Sequence, residues 1–382
     1  MNYESEFECY SAIVCIEEEG DDDLMTWTEP QHSKSAVGKA GRRLVEEEGQ
    51  DGYTGALAVL DNWRTSHACP LNSIQTSLRY RGKKISKDAL ISQRLKRISS
   101  IKGKLKRSEG MQLHRMQDIG GCRATMPSVE EVYLLQEAMT GKRLRSECIK
   151  EIDYIKDPKP SGYRGIHMIY KFQGKKHSGH NGLLIEVQIR SAIQHAWATS
   201  VEIAGTFLGV SLKSEEGPGE WLDFFSLVST LFAAREGYAP NHLNSDEIQG
   251  IKQKVISLRD KLSIVEQLKA FSVVTKESNN IEASDGYFLL ELRVDEKIIT
   301  IRYYQKDYLD KATEEYIRLE EGNKNNDVNI VLVAAESLTG LKKSYPNYFA
   351  DSEIFISVLE ECLKPIESTS SLSFALKAEG KT

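Results

Sequence analysis

No two of the six cysteines (Cys9, Cys15, Cys69, Cys122, Cys148, Cys362) fall in a CxxC pair. That spacing suits neither a zinc site nor a disulfide framework, and reduced thiols in a cytoplasm are the expected state. The chain also lacks any run of about 18 apolar residues, so no transmembrane helix and no membrane partner are expected. Its opening, MNYESEFECY, lacks the basic-then-apolar order of a secretory signal. Charge of one sign is not in excess: the formal net charge is -6, which excludes a molecule coated for nucleic acid as a whole. No internal repeat is visible. Gly103-Lys104 lacks the upstream glycine and the following Ser or Thr of a phosphate-binding Walker loop.

What is present is ordinary in amount and unusual in placement. The chain has 382 residues, 40% hydrophobic and 28% charged, which suits a globular protein of two or three domains. Residues 1–54 read as a helical lead-in, with SKSAVGKAGRRLVEE starting at a cap on Ser33 or Ser35. Residues 55–240 read as a mixed α/β domain. It has a helix over Gly55–Arg64 stopped by Pro70, and a basic helix over Lys87–Arg107 interrupted at Gly103. CRATM, IHMIYKF and LLIEVQIRS are predicted strands, and SVEEVYLLQEAMTG and SAIQHAWATSVEIAG predicted helices. Residues 241–382 read as a long helix over EIQGIKQKVISLRDKLSIVEQLKAF and a smaller α+β unit. In that unit YFLLELRV and KIITIRYY form a hairpin, YLDKATEEYIRLEE a helix, NIVLVAA a strand and FADSEIFISVLEECL a last helix.

Four stretches carry chemistry. In LLIEVQIRS the strand period puts Ile185, Val187 and Ile189 on one face and Glu186, Gln188 and Arg190 on the other. A polar row like this belongs to an exposed edge or to a site. In YRGIHMIYKF the same period puts Tyr163 and His167 on one face, roughly 13 Å apart if fully extended, a span that accommodates a nucleoside. In MQDIGGCRATM, Asp118 precedes a Gly-Gly pair that permits a sharp turn or close approach to a ligand; an Asx-type turn is the alternative. Finally, Arg79–Gly110 holds twelve Lys or Arg against two acidic residues. That density of one sign points to phosphates, and a solvated helix face is the alternative.

Together these stretches resemble the synthetase domain of the RelA/SpoT family, over about residues 60–205. The matching motifs are R-L-K with S-I-K-G-K-L (Arg94–Leu105), D-I-G-G-C-R (Asp118–Arg123), D-P-K-P-S-G-Y-R-G-I-H (Asp157–His167) and I-E-V-Q-I-R-S (Ile185–Ser191). The chain differs from the usual pattern at Ser161, Gly165 and Ser191, and in having Glu202-Ile203 for a Glu-His pair. The resemblance implies a nucleotidyltransferase-like mixed sheet flanked by helices. It also implies transfer of pyrophosphate from ATP to the 3′-hydroxyl of a guanine nucleotide. Arg94 and Arg123 would then grip the adenine, and Lys96 and Lys104 the ATP phosphates. Asp118 and Glu186 would bind Mg²⁺, Glu186 also serving as base. Lys159, Tyr163, His167 and Gln188 would take the acceptor nucleotide.

Two rival readings stay open. One is a toxin of the same family that attaches pyrophosphate to the 3′ end of tRNA, its C-terminal domain binding a regulator or antitoxin. The other is a catalytically silent nucleotide-binding regulator. No His-Asp dipeptide occurs among the eight histidines, so the hydrolase half of the bifunctional family members is not expected. His177 and His180, in KKHSGHNG, read as a polar turn in preference to a metal site.

Overall fold

The helix signals near the start hold. In the computed structural model, α1 (Lys34–Glu46) begins under Ser33, whose hydroxyl accepts from the Ala36 N–H at 3.2 Å. The structure describes residues 27–46, 52–141, 145–208, 210, 212, 217–238, 243–270, 274–276, 286–293, 298–305, 308–323, 328–335 and 352–364. The acidic run EEEGDDD (residues 17–23), the tyrosines at 345 and 348 and the serines near 368 lie outside these residues. α2 (Tyr53–Thr65) follows α1. Pro70 does not stop a helix; it lies in the first turn of α3 (Ala68–Ile85). There the N–H groups have no intrahelical acceptor, so proline's missing donor costs nothing.

The basic stretch is not one helix. Its first part is β1 (Leu90–Leu95), and after Lys96 and Arg97 the chain continues as α4 (Ile98–Arg107), which runs through Gly103. Pairing with a neighbouring strand overrides the charge pattern here, because LISQRL is short enough to serve either period. β1 joins β2 (Gly120–Met126), β5 (Leu184–Ser191), β4 (Ile166–Lys171) and β3 (Glu147–Asp153) in the order β1-β2-β5-β4-β3. Only β2 and β5 run parallel. β3 has no sequence signal, since it is a mostly exposed outer strand without apolar alternation.

One face of this sheet is apolar. Cys122, Ala124, Val187, Ile189, Ile166 and Met168 pack there with residues of α3 and of α5 (Val129–Thr140). Ser128 caps α5, accepting from the Glu131 N–H at 3.3 Å. The chain leaves β5 directly into α6 (Ala192–Phe207) through a capping box of Ser191 and Gln194, and α7 (Gly219–Arg235) follows.

The long helix expected beyond residue 241 is two, α8 (Ser245–Lys261) and α9 (Ile264–Ala270), broken where Ser263 takes a φ of 46°. Left-handed backbone at a residue other than glycine ends a helix. The last helix, α11 (Glu353–Leu363), places Phe355, Ile356 and Leu359 in one core with Phe225, Phe232 and Val255. A four-stranded sheet of β6 (Val274–Lys276), β7 (Gly286–Arg293), β8 (Ile298–Gln305) and β9 (Val328–Ala335) forms the smaller unit, in the order β6-β8-β7-β9. β7 and β8 pair antiparallel, as the hairpin reading expects. α10 (Leu309–Gly322) covers this sheet with Tyr316 against Leu289 and Ile330. β9 also lies against β1, and the Arg64 guanidinium sits 4.8 Å over the Tyr316 ring.

The chain is therefore mixed α/β: a five-stranded mixed sheet flanked by helices, plus a smaller α+β unit. Among the described residues Cys69, Cys122, Cys148 and Cys362 form no disulfide, and no helix is long and apolar enough to cross a membrane.

Candidate active site

Strand register assembles the polar face. β5 is a central strand, not an edge, so its row Glu186, Gln188, Arg190 is covered on both sides by neighbours. Arg123 on β2 and His167 on β4 both stand opposite Gln188, and Ser92 on β1 stands opposite Arg123. One step along, Gly121 stands opposite both Arg94 and Glu186. Arg94 and Arg123 are thus diagonal neighbours on adjacent strands and share one face. The two glycines differ in use. A Cβ on Gly120 would come within 2.6 Å of Ile185 Cδ1, whereas one on Gly121 would meet only the Arg94 carbonyl, at 4.0 Å. Gly120 permits packing, and Gly121 leaves open space between Arg94 and Glu186.

Asp118 does not make an Asx turn. Its two oxygens take Lys96 Nζ and Lys104 Nζ, each at 2.9 Å. Burial alone would raise the Asp118 carboxyl, but the two ammonium groups outweigh it and hold the pKa below the ordinary value of 3.8. Burial lowers Lys96, with Asp118 opposing. The basic stretch is therefore turned partly inward. Lys102 also points in, donating to the Tyr53 hydroxyl at 2.9 Å. Arg64, from α2, donates from Nε to the Lys96 carbonyl at 2.8 Å.

On the other side, Tyr163 and His167 are not separated by a nucleoside's length. The Tyr163 hydroxyl and His167 Nε2 are 2.6 Å apart. Gly162 and Gly165 take φ values of 88° and 145°, so the segment folds back before β4 begins at Ile166. A closed circuit follows. Arg190 Nε–H donates to the Tyr163 oxygen at 3.0 Å, and the Tyr163 O–H donates to His167 Nε2. His167 Nδ1–H donates to Glu186 Oε1 at 2.9 Å, and Gln188 Nε2–H to Glu186 Oε2 at 2.7 Å. Arg190 Nη2 closes it on Gln188 Oε1. Because a guanidinium can only donate, this circuit is satisfied by the Nδ1–H tautomer of His167. Burial would raise Glu186, yet the interactions with His167 and the Gln188 hydrogen bond together outweigh it and keep the carboxyl below 4.5, while the charge of Asp118 pushes the other way. Burial raises the Tyr163 hydroxyl, with Arg190 opposing.

The Tyr163 ring is already dressed with cations. Lys159 Nζ lies 5.2 Å and the Arg190 guanidinium carbon 4.9 Å from its centroid, and Tyr154 meets it edge-on at 5.7 Å. Lys159 Nζ is also 4.8 Å over Tyr154. The KKHSGHNG turn stays apart from all this, with the His180 ring within 3.0 Å of the Thr28 carbonyl. Among the described residues no cluster of three or more His, Cys, Asp or Glu stands ready for a metal.

Residues 93–204 match the model of the region found in RelA / SpoT proteins. Over these residues the chain is similar to the RelA/SpoT family. GTP pyrophosphokinase YjbM of Bacillus subtilis is 31% identical over 112 residues, 28% of this chain and 52% of that protein. GTP pyrophosphokinase YwaC of the same organism is 29% identical over 112 residues, with 28% and 52% covered. The chain spans about half the length of the curated relatives it matches, 52% of YjbM among them. The small alarmone synthetase 1 of Bacillus subtilis, solved bound to its product pppGpp, superposes with a TM-score of 0.40 at 20% identity. That match covers 49% of this chain and 96% of that one.

The RelA/SpoT region holds every residue named from sequence, and the structure brings Asp118, Lys96 and Lys104 into one group and Tyr163, His167, Glu186 and Gln188 into another. Lys159 reaches the second group through the Tyr163 ring. Sequence reading left out three contributors. Arg190 was visible as the third member of the β5 polar row. Tyr154 and Arg64 carry no local signal: Tyr154 meets Tyr163 only because the intervening turn folds back, and Arg64 reaches Lys96 from a helix 32 residues away.

Proposed function

We propose that the RelA/SpoT domain is an ATP-dependent pyrophosphokinase that transfers the β,γ-pyrophosphate of ATP to the 3′-hydroxyl of GDP or GTP. One observation carries this reading: Asp118, just ahead of β2, is held by two lysines, while Glu186, opposite Gly121 of β2 on the neighbouring β5, is held in a hydrogen-bond circuit. Pyrophosphoryl transfer asks for positioning and for positive charge along developing oxyanions, and little else from the protein. YjbM and YwaC, named as GTP pyrophosphokinases, support the reaction class.

In this reading Arg94 and Arg123 hold the adenine, and Gly121 leaves room between Arg94 and the chemistry. Lys96 and Lys104 exchange Asp118 for the ATP phosphates. Mg²⁺ fits the donor set, which is two hard, mutually repelling carboxylates, and Asp118 and Glu186 would hold it. Bound there, it would supply charge neutralisation to the phosphate oxygens. The acceptor 3′-oxygen forms a bond to the β-phosphorus, the bridge to the α-phosphorus breaks, and AMP leaves. The hydroxyl proton goes to Glu186, whose carboxylate is held ionised by His167 and Gln188. Lys159, His167 and Gln188 address the acceptor, whose base displaces Lys159 from the Tyr163 ring to stack there while Arg190 keeps its place in the circuit. Such stacking contributes about 1 to 3 kcal/mol.

Incubation with phosphate-labelled ATP plus GDP, GTP or bulk tRNA tests the reading. Label is expected on GDP or GTP. Label on tRNA alone replaces the acceptor with the tRNA 3′ end. Tight ATP binding with no labelled acceptor overturns the enzyme and leaves a nucleotide-binding regulator.

A further inference from the structure

The acceptor side is held from behind by a helix outside the RelA/SpoT region. Lys159–Gly162 is a tight turn with Pro160 in its second position, where a fixed φ favours the bend. Gly162 N–H donates to the Lys159 carbonyl at 2.8 Å, and Lys159 N–H to the Tyr163 carbonyl at 3.2 Å. The outer side of this turn rests on α7. The Ser229 hydroxyl donates to the Gly162 carbonyl and accepts from Arg164 Nε at 3.2 Å. Arg164 Nη1 in turn donates to the Ile155 carbonyl at 2.7 Å. The fit is close: a Cβ on Gly162 would come within 2.9 Å of Ser229 Cβ and 3.0 Å of Ser226 Cα. Ser229 and Arg164 are both buried.

The far end of the same helix grips the other half of the site. Glu236, which ends α7, accepts from the hydroxyl of Ser191, the last residue of the strand that carries Glu186. Trp197 Nε1 on α6 donates to the Phe225 carbonyl on α7 at 2.8 Å. One rigid element therefore touches the Tyr163 turn and the end of the Glu186 strand. The family match ends at residue 204, before α7 begins at Gly219.

We propose that α7 sets the position of the acceptor platform relative to Glu186, with Ser229 and Arg164 as its positioning residues. Neither touches the reacting atoms. They act through the Gly162–Tyr163 backbone, which must sit at one height for the Tyr163 hydroxyl to bridge Arg190 and His167. The inference rests on the pyrophosphokinase reading, since it concerns where the acceptor of that reaction sits.

Ser229→Ala removes the hydroxyl and leaves the helix. In the full chain, it is expected to weaken GDP binding and raise the GDP KM about tenfold, because the Gly162 carbonyl and Arg164 Nε both lose their buried partner. ATP-analogue affinity should stay close to wild type, with a modest fall in the thermal midpoint. Ser226→Ala is the control, because its hydroxyl makes only a 3.4 Å contact to the Pro160 carbonyl and should change neither ligand. Amide hydrogen exchange at Gly162 and Tyr163 is expected to quicken in Ser229→Ala while β5 stays protected. Equal losses for GDP and ATP, or unchanged exchange at the turn, overturn the proposal. If wild type transfers to no acceptor, the pyrophosphokinase reading fails, and the exchange data alone decide whether α7 holds the turn.

Discussion

The two sides of the site store their charge differently. On the donor side, Lys96 and Lys104 are paired directly with Asp118, and their side chains remain 18% and 31% exposed. On the acceptor side, charge is threaded through neutral groups, from Glu186 through His167 and Tyr163 to Arg190 and back through Gln188. An ammonium on a flexible stem can trade a carboxylate for a phosphate with no change in backbone. A closed circuit of short side chains on one sheet face cannot trade members without breaking. The donor side is therefore built to exchange partners and the acceptor side to stay fixed, which separates the effects expected of mutations.

Glu186→Gln should have the largest effect. It removes the base, and turnover measured with labelled ATP and GDP should fall about 10² to 10⁴-fold. The thermal midpoint should fall only modestly, because Gln still accepts from His167 and loses the Gln188 bond alone. Unchanged turnover would remove Glu186 from the chemistry and erase the distinction between the two sides. Asp118→Asn should come next, and should cost stability as well as activity: it strands two ammonium groups, at about 1 to 2 kcal/mol for a partly exposed cluster. Its pH dependence carries a sign. The folded Asp118 carboxyl lies below its unfolded value of 3.8, so its contribution is present above that value and is lost as pH falls through the folded one. Urea midpoints from neutral pH to below 3.8 should therefore fall more steeply in wild type than in Asp118→Asn.

Gly121→Val sharpens the comparison from the donor side. The added side chain meets open space in the empty protein, so thermal stability should hold. The ATP KM should nonetheless rise about tenfold as the room beside Arg94 is filled. Equal loss of ATP and GDP binding would show that the open space serves both. The smallest effect on the site is expected from Tyr316→Leu, which removes the ring under Arg64, keeps most of the buried volume against Leu289 and Ile330, and leaves Arg64 donating to Lys96. A contact of about 0.5 to 1 kcal/mol should move the ATP KM by a few-fold and the GDP KM not at all.

Much of this site was legible in the residues. Alternation in IEVQIRS separated the apolar from the polar face of β5, and Ser128, Ser191 and the Gly-Gly pair marked element boundaries. What failed was nonlocal. Tyr163 and His167 were placed an extended strand apart, because nothing in YRGIH says that Gly162 and Gly165 adopt positive φ and bring the two side chains together. β1 was hidden in a basic run because its strand character comes from pairing with β2. β3 was invisible because an exposed outer strand need not alternate. The pattern of HACPLN does not say whether a helix ends before Pro70 or begins there, and the fold begins one at Ala68.

Sequence alone determined the chemical inventory and the faces: which side chains are acids, lysines and aromatics, and which of them share a strand side. These follow from local periods of two and 3.6 residues and from caps. Tertiary structure decided who meets whom. Parallel pairing of β2 with β5 put Gly121 beside Glu186, and antiparallel β4 put His167 beside Gln188. α7 closed over the Tyr163 turn from a position sixty-five residues beyond Arg164. Register and docking depend on contacts between segments far apart in the chain, and a local pattern holds no information about its partner's offset.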